Sequence, residues 1–470
     1  MQKNRCLVSD WRGGYMNDFT EGKITKQLLL FSAPMLIGNL FQQMYSVVDM
    51  IVVGRYVSGG ALAAIGVSMN VIMFILSVLI GLTTGASVVL SQFYGAKEYD
   101  SLKKTVSVSI LSLLCVAVVL TLLGTTLAPF FLRLLNTNDD VFDDAVLYMR
   151  ILMGGIVFPV FYNMYTAYMR ALGDSRRPLY FLICATMLNI ALDLYFVIGL
   201  DLGVLGVAVA TVTSQMVSVV MCVVYATRKI PLLRVSKLEY DSRLFRLILR
   251  YGTPAAMRLA IVSFAQLTIT RLINSFGTAA MAGITAATRI DQFAIMPVSN
   301  LSSALSTFVA QNMGAEKEDR ALKGFRSALI SMLVCAVFMS IVLMIFSHPL
   351  ISIFLKQGDI DTPEILRIGG EYLNVMVVFY FLFAILFSFN GFFQGVGDAI
   401  MAMAFPVVSL TIRALSAYAL VGFVGMGPEA LAWSIPIGWG LGGLGSWIYY
   451  KKRLWVGKTA TQAMSAASQD

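Results

Sequence analysis

The sequence predicts an all-α membrane protein with twelve transmembrane helices in two six-helix lobes related by a parallel pseudo-two-fold repeat. Three observations predict it. Of 470 residues, 58% are hydrophobic and only 13% charged, which leaves more apolar surface than a water-soluble fold can cover. Apolar runs close to the roughly 20 residues needed to cross about 30 Å of hydrocarbon recur along nearly the whole chain. The second half also repeats motifs of the first at an offset of about 220 residues.

Apolar runs between charged or Pro/Gly-rich breaks place the first six spans near Lys26 to Val53, Ala61 to Leu90, Thr105 to Ala128, Ala145 to Met169, Pro178 to Ile198 and Gly203 to Ala226. The second six fall near Leu247 to Asn274, Ala280 to Ala310, Ser327 to Phe346, Ile365 to Asn390, Ala399 to Val424 and Ala430 to Tyr450. This divides the chain into an N-terminal tail (1–22), a first lobe (23–228), a basic linker (229–246), a second lobe (247–453) and a C-terminal tail (454–470). The tail from Met1 to Thr20 lacks the apolar stretch of a signal peptide. Met16, just before a polar run, reads as a later natural start.

Most of the 35 basic residues fall in the loops after even-numbered spans and in the tails, whereas the opposite loops hold little beyond Arg55, Arg133 and Lys356. Basic residues are retained on the cytoplasmic side, so both termini are expected there. The acidic groups Asp139, Asp140, Asp143 and Asp144, and Asp359, Asp361 and Glu364, then lie outside. The net charge of +9 is scattered over short loops rather than gathered into a stripe with interleaved aromatics, so nucleic acid is not an expected partner. The densest basic segment runs from Arg228 to Arg250. It reads first as a topology-setting linker with a surface helix, and second as a contact for anionic lipid.

The repeat pairs Ser32-Ala33-Pro34 with Gly252-Thr253-Pro254, and Ala61-Leu62-Ala63-Ala64-Ile65 with Ala280-Met281-Ala282-Gly283-Ile284. It also pairs Gln92-Phe93-Tyr94-Gly95-Ala96 with Gln311-Asn312-Met313-Gly314-Ala315, and Gly173-Asp174 with Gly397-Asp398. With six spans per half, corresponding segments enter from the same side and the repeat is parallel. Two lobes around a central cleft is the expected architecture, a habit of transporters.

An ionisable group in hydrocarbon costs about 2.5 to 3.5 kcal/mol on insertion scales, so each one asks for a reason. Asp49 lies in the outer part of span one, and Asp193 in the outer half of span five, with Asn189 one turn earlier on the same face. Thr211 enters span six by about eight residues, roughly 12 Å, which is a comparable depth. A carboxylate away from water is costly unless a proton or a cation joins it. Two acids, an amide and a hydroxyl at one level are therefore a candidate cation or proton site. The plainer reading is that the acids cap or pair helices, but beyond Lys26 at the very start of span one the lobe's spans hold only Arg150, near an outer end.

Prolines interrupt many spans: Pro34, Pro159, Pro254, Pro297, Pro406 and Pro436. Each removes a backbone hydrogen bond and is expected to kink its helix. Pro34 shares a helix with Asp49, so a protonation-linked bend is expected there. The second lobe carries Arg258, Arg289, Asp291 and Arg413 inside its spans. Arg289 and Asp291, two apart, do not face each other; Asp291 is expected to pair with Arg413 or Arg258, or these groups line an anion-attracting cavity. The 26 Met, 30 Phe and 19 Tyr suit a cavity for varied apolar shapes, although lipid-facing and core packing explain most of them.

Gly440-Leu441-Gly442-Gly443-Leu444-Gly445 fits a dinucleotide pattern but sits inside span twelve with no preceding strand, so close helix packing is the better account. Cys6, Cys115, Cys184, Cys222 and Cys335 are scattered, with neither a disulfide framework nor metal-ligand spacing. His348, the only histidine, stands in an outer loop. No catalytic set, resident metal or cofactor is expected, and the chain does not read as an enzyme.

Ser32-Ala33-Pro34, Val48-Asp49 with Val53-Gly54, Ala61-Leu62-Ala63-Ala64, Gln92-Phe93-Tyr94-Gly95-Ala96 and Asn189-Ile190-Ala191-Leu192-Asp193 together resemble the MATE family of multidrug and toxic-compound extrusion proteins, over about Glu21 to Arg453. The resemblance is greatest to the DinF-like and MepA-like bacterial branches. It implies a secondary antiporter in the bacterial inner membrane, a monomer without cofactor, that exports small amphipathic, often cationic compounds against protons or sodium by alternating access. In DinF-like members a first-lobe network uses an aspartate on helix one and an asparagine, an aspartate and a threonine on helices five and six; Asp49, Asn189, Asp193 and Thr211 match. NorM-like members have a glutamate in span seven, where this chain reads Leu259-Ala260-Ile261-Val262, so a second-lobe sodium site is not expected. The alternative function is that of a flippase for a lipid-linked saccharide or similar amphiphile in the same superfamily, with the second-lobe arginines on its head group.

Overall fold

The computed structural model describes residues 17–135, 137–235, 237–353 and 362–466. Residues 1–16, which include Cys6 and Met16, the last four residues, and Lys356, Asp359 and Asp361 lie outside these residues. The described residues are helical, as hydrocarbon requires: with no water to bond, the backbone must satisfy its own N–H and C=O groups.

In the first half the helices are α1 (Ile24–Tyr56), α2 (Gly59–Ala96), α3 (Tyr99–Thr126), the short α4 (Ala128–Leu134), α5 (Asp139–Gly154), α6 (Val157–Ala171), α7 (Arg176–Asp193) and α8 (Gly203–Lys229). In the second they are α9 (Ser242–Asn274), α10 (Thr278–Ala294), α11 (Met296–Gly314), α12 (Glu318–Ser352), α13 (Thr362–Val378), α14 (Tyr380–Val396), α15 (Ala399–Gly422), α16 (Glu429–Lys451) and α17 (Ala460–Ala466). Eight of these helices are long and apolar enough to cross a membrane, and three bent pairs bring the spans to eleven. The twelfth is α16, 23 residues whose run of glycines lowers its hydropathy without shortening it.

Bends occur at three places: 48° between α5 and α6, 40° between α10 and α11, and 53° between α13 and α14. Pro159 and Pro297 stand just beyond the first two breaks. Elsewhere α1, α9, α15 and α16 continue as single helices past Pro34, Pro254, Pro406 and Pro436. One lost hydrogen bond leaves the rest of the ladder intact.

Two compact units result. One contains the described residues up to Glu21 and those from Ala33 to Ala256; the other contains Gly22–Ser32 and the described residues from Met257 onward. The divide between these units therefore runs inside α1 and α9, next to Pro34 and Pro254. Packing explains this for α9. A methyl added to Gly85 of α2 would stand 2.4 Å from the Gly252 nitrogen, and one added to Gly81 2.5 Å from the Ala256 nitrogen. Small residues at that spacing let two membrane helices meet backbone to backbone, which ties the first turns of α9 to the first unit.

Candidate functional site

Four helices of the first unit bring polar side chains into its interior. From α1 come Asp49 and, one turn earlier on the same face, Tyr45. From α7 come Asn189 and Asp193, likewise one turn apart. Tyr148 of α5 and Thr211 of α8 complete the group. Asp193 and Tyr148 are fully buried, and Asp49, Asn189 and Thr211 nearly so.

The carboxyl groups of Asp49 and Asp193 lie against each other, with the Tyr148 and Tyr45 rings acting on both. The Tyr45 hydroxyl is 3.5 Å from that of Thr211. The four residues singled out from the sequence thus belong to one region, joined by two tyrosines that sequence reasoning missed. Tyr45 was detectable as the i−4 neighbour of Asp49; Tyr148 had no such signal, since nothing local ties α5 to α1.

Asp49 Oδ1, both carboxylate oxygens of Asp193, both amide atoms of Asn189 and the Tyr148 hydroxyl are buried with no hydrogen-bond partner in the protein. No lysine or arginine acts on either carboxylate, and Arg150 is exposed and donates to the Thr125 carbonyl. An unmet buried polar group costs about 1–3 kcal/mol, and a buried charge costs more unless it is paired. Such an arrangement suits protons or a small oxygen-preferring cation, with Asn189 Oδ1 and the Thr211 hydroxyl as further oxygen donors. Among the described residues no group of three His, Cys, Asp or Glu could hold a metal, so a cation here depends on the amide and hydroxyl oxygens. Directly after Asp193 the helix widens into a π-helical segment, Leu194–Gly199, a local irregularity frequent at functional sites.

The second unit distributes its polar residues otherwise. The Tyr380 hydroxyl donates to Asp291 Oδ1 at 2.8 Å, and Arg413 Nη2 donates to the Tyr372 hydroxyl at 3.1 Å. Among the described ion pairs none involves Asp291, so the expected bond to Arg413 or Arg258 gives way to a tyrosine hydroxyl. Arg413 acts on Asp291 at longer range. Arg258 Nη1 donates instead to Asn390 Oδ1 at 3.2 Å, and Asn390 Nδ2 to the Ala402 carbonyl at 2.5 Å. Arg289 is exposed. Asp291 and Arg413 are thus neighbours, while Arg258 bonds Asn390 and Arg289 is exposed. Tyr380 opens α14 at the 53° bend, where sequence had no means of flagging it.

The glycine pattern in α16 serves packing. A methyl on Gly438 would meet the Ser409 carbonyl at 2.5 Å and one on Gly442 the Ser409 Cβ at 2.7 Å, so α15 and α16 meet closely through these positions.

Comparison with known proteins places this architecture. The MatE family model matches residues 34–195 and 254–419, one segment in each half. A probable multidrug resistance protein of Bacillus subtilis, YoeA, is 30% identical over 369 residues, covering 77% of this chain and 79% of that protein. A second from the same organism, YpnP, is 26% identical over 93% of this chain and 97% of its own length. Among solved structures, an outward-facing multidrug resistance MATE transporter of the MOP superfamily superposes with a TM-score of 0.86 at 23% identity, covering 93% of this chain and 97% of that one. The chain belongs to the MATE family, and is a membrane transporter and not an enzyme.

Proposed function

We propose that this protein exports small amphipathic, often cationic compounds across the bacterial inner membrane by alternating access, in exchange for protons or sodium. Its curated relatives, called multidrug resistance proteins, support the substrate class. The single observation that carries the coupling is the pair of buried acids, Asp49 and Asp193, which face each other with no lysine or arginine acting on either. Protons or a sodium ion held there, with Asn189 and Thr211 as further oxygen donors, complete the cluster and bias the transporter toward one opening. A proton returning inward releases about 2.3 kcal/mol per 100 mV, in addition to any pH gradient.

Pro34 lies in α1 with Asp49, and its missing hydrogen bond gives that helix a place to bend as the acids load. Solved MATE structures similar to this chain in fold, at a TM-score of 0.86, occur in a bent and, at 0.85, a straight conformation. The concentration of basic residues in the tails and in the loops after even-numbered spans supports both termini facing the cytoplasm, and a monomer is the form we infer. In the second unit we assign Asp291 and Arg413 a positioning role around the bend at Tyr380. The flippase alternative draws less support, since Arg258 and Arg413 already donate to neighbours in their own unit.

The test is substrate-dependent proton and sodium flux in proteoliposomes under controlled gradients. Wild type is expected to move substrate only against one of the two ions, and Asp49→Asn and Asp193→Asn to lose that exchange by tenfold or more. Undiminished extrusion by both variants would overturn the reading.

A further inference from the structure

Between Arg228 and Arg250 the only acidic residues are Glu239 and Asp241, outnumbered by arginines and lysines. The Asp241 carboxylate is committed to the helix start, accepting from the backbone nitrogens of Arg243 at 2.8 Å and Leu244 at 3.3 Å. Among the described residues, none of the basic side chains in this stretch has a carboxylate within ion-pair reach. Arg243, Arg246 and Arg250 are exposed and, at i, i+3 and i+7, share one face of the first turns of α9. The adjoining face, with Leu244, Leu247, Ile248 and Tyr251, is buried.

The segment leading into α9 is held in place. Buried Ser107 of α3 bonds the Glu239 backbone from both sides, accepting from its nitrogen at 2.6 Å and donating to its carbonyl at 2.9 Å. Beside this clamp Leu238 and Tyr240 are 58% and 61% exposed, next to exposed Lys237. A topology signal requires only charge in a loop. Here there is a fixed, outward-facing row of cations where a membrane span begins, with an apolar and an aromatic side chain beside it. That combination suits the headgroup layer, where cations meet phosphate and Leu and Tyr enter the acyl boundary.

We propose that the first turns of α9 and the segment before it form a binding surface for anionic phospholipid headgroups of the cytoplasmic leaflet. The proposal goes beyond the transport reading and depends only on this loop being cytoplasmic, which side-specific labelling tests separately. Lipid bound here would brace the start of α9 against α2 and α3.

The experiment uses the full-length purified protein, with retained lipid counted by native mass spectrometry after exposure to equal amounts of phosphatidylglycerol and phosphatidylcholine. Wild type is expected to retain phosphatidylglycerol preferentially. Each basic residue near an anionic surface is worth about fivefold in partitioning, so Arg243→Gln with Arg246→Gln and Arg250→Gln should lower that preference at least tenfold. The triple Arg→Lys variant should keep it, and so should Lys103→Gln with Lys104→Gln, which removes exposed cations from α3. If the glutamine variant cannot be purified, wild type alone decides: its preference must fall as salt rises from 0.1 M to 1 M and the screening length shrinks from about 10 Å to 3 Å. Equal retention of the two lipids by wild type, undiminished preference in the glutamine variant, or indifference to salt would each overturn the proposal.

Discussion

At Asp49 and Asp193, asparagine is close in size to the native residue but cannot carry the charge. Because Asp193 is buried beside Asp49 with no basic group acting on it, removing its charge relieves desolvation and like-charge repulsion instead of breaking an ion pair. Asp193→Asn is therefore expected to unfold at the same temperature as wild type or a higher one while exchange is lost, a separation that a structural ion pair would not give. Breaking a buried pair by removing one partner typically costs 3–5 kcal/mol, so a large fall in melting temperature would show that the acids hold the fold together. Tyr380 gives the opposite case. Its hydroxyl is the hydrogen-bond donor to Asp291, and Tyr380→Phe leaves that carboxylate unmet at about 1–3 kcal/mol, which thermal unfolding in detergent would register as a lower midpoint. Sequence located Asp49 and Asp193 because acids stand out in apolar runs, and Asn189 and Tyr45 are within reach by helical spacing. Tyr148, Tyr372 and Tyr380 were not legible, since tyrosine is common in this chain and only the packing of separate helices selects these three.

For whole elements, α2 approaches the start of α9 backbone to backbone. A methyl at Gly85 would lie 2.4 Å from the Gly252 nitrogen and 2.7 Å from its Cα, so the neighbour that must move is backbone. Gly66, on the same helix, is exposed and has nothing within 4 Å of an added methyl. Gly66→Ala should gain about 0.5–1 kcal/mol from the lower conformational freedom of the unfolded chain. Gly85→Ala should instead lower the melting temperature and the yield of monodisperse protein; a Gly85→Ala variant as stable as Gly66→Ala would mean the two helices do not meet as described. Sequence showed α2 as a long apolar run, but its contact with α9 was hidden because the two lie far apart in the chain. The same limit applies to proline: Pro159 and Pro297 stand by breaks between helices while Pro34 and Pro254 sit inside single helices.

In the molecule as a whole, the layout was legible because a bilayer leaves a chain so few choices. Spans must be helical and about 20 residues long, and the six-plus-six motif repeat in the sequence returns in the structure as a repeated order of helices, each half with a bent fourth span. What sequence did not show was that α1 and α9 each divide between the compact units, because composition marks loops and not which helix a neighbour packs against. The orientation follows from charge alone and is open to direct test. Asp140, in the acidic group that starts α5, and Lys237, in the basic segment before α9, are both exposed, and retention of basic residues inside places them on opposite sides. With the native cysteines replaced by alanine, a cysteine at position 140 should react with a membrane-impermeant maleimide on intact spheroplasts. A cysteine at position 237 should react only after the membrane is opened. The reverse pattern would invert the topology and withdraw the cytoplasmic lipid surface with it, yet would leave the paired acids of the first unit untouched.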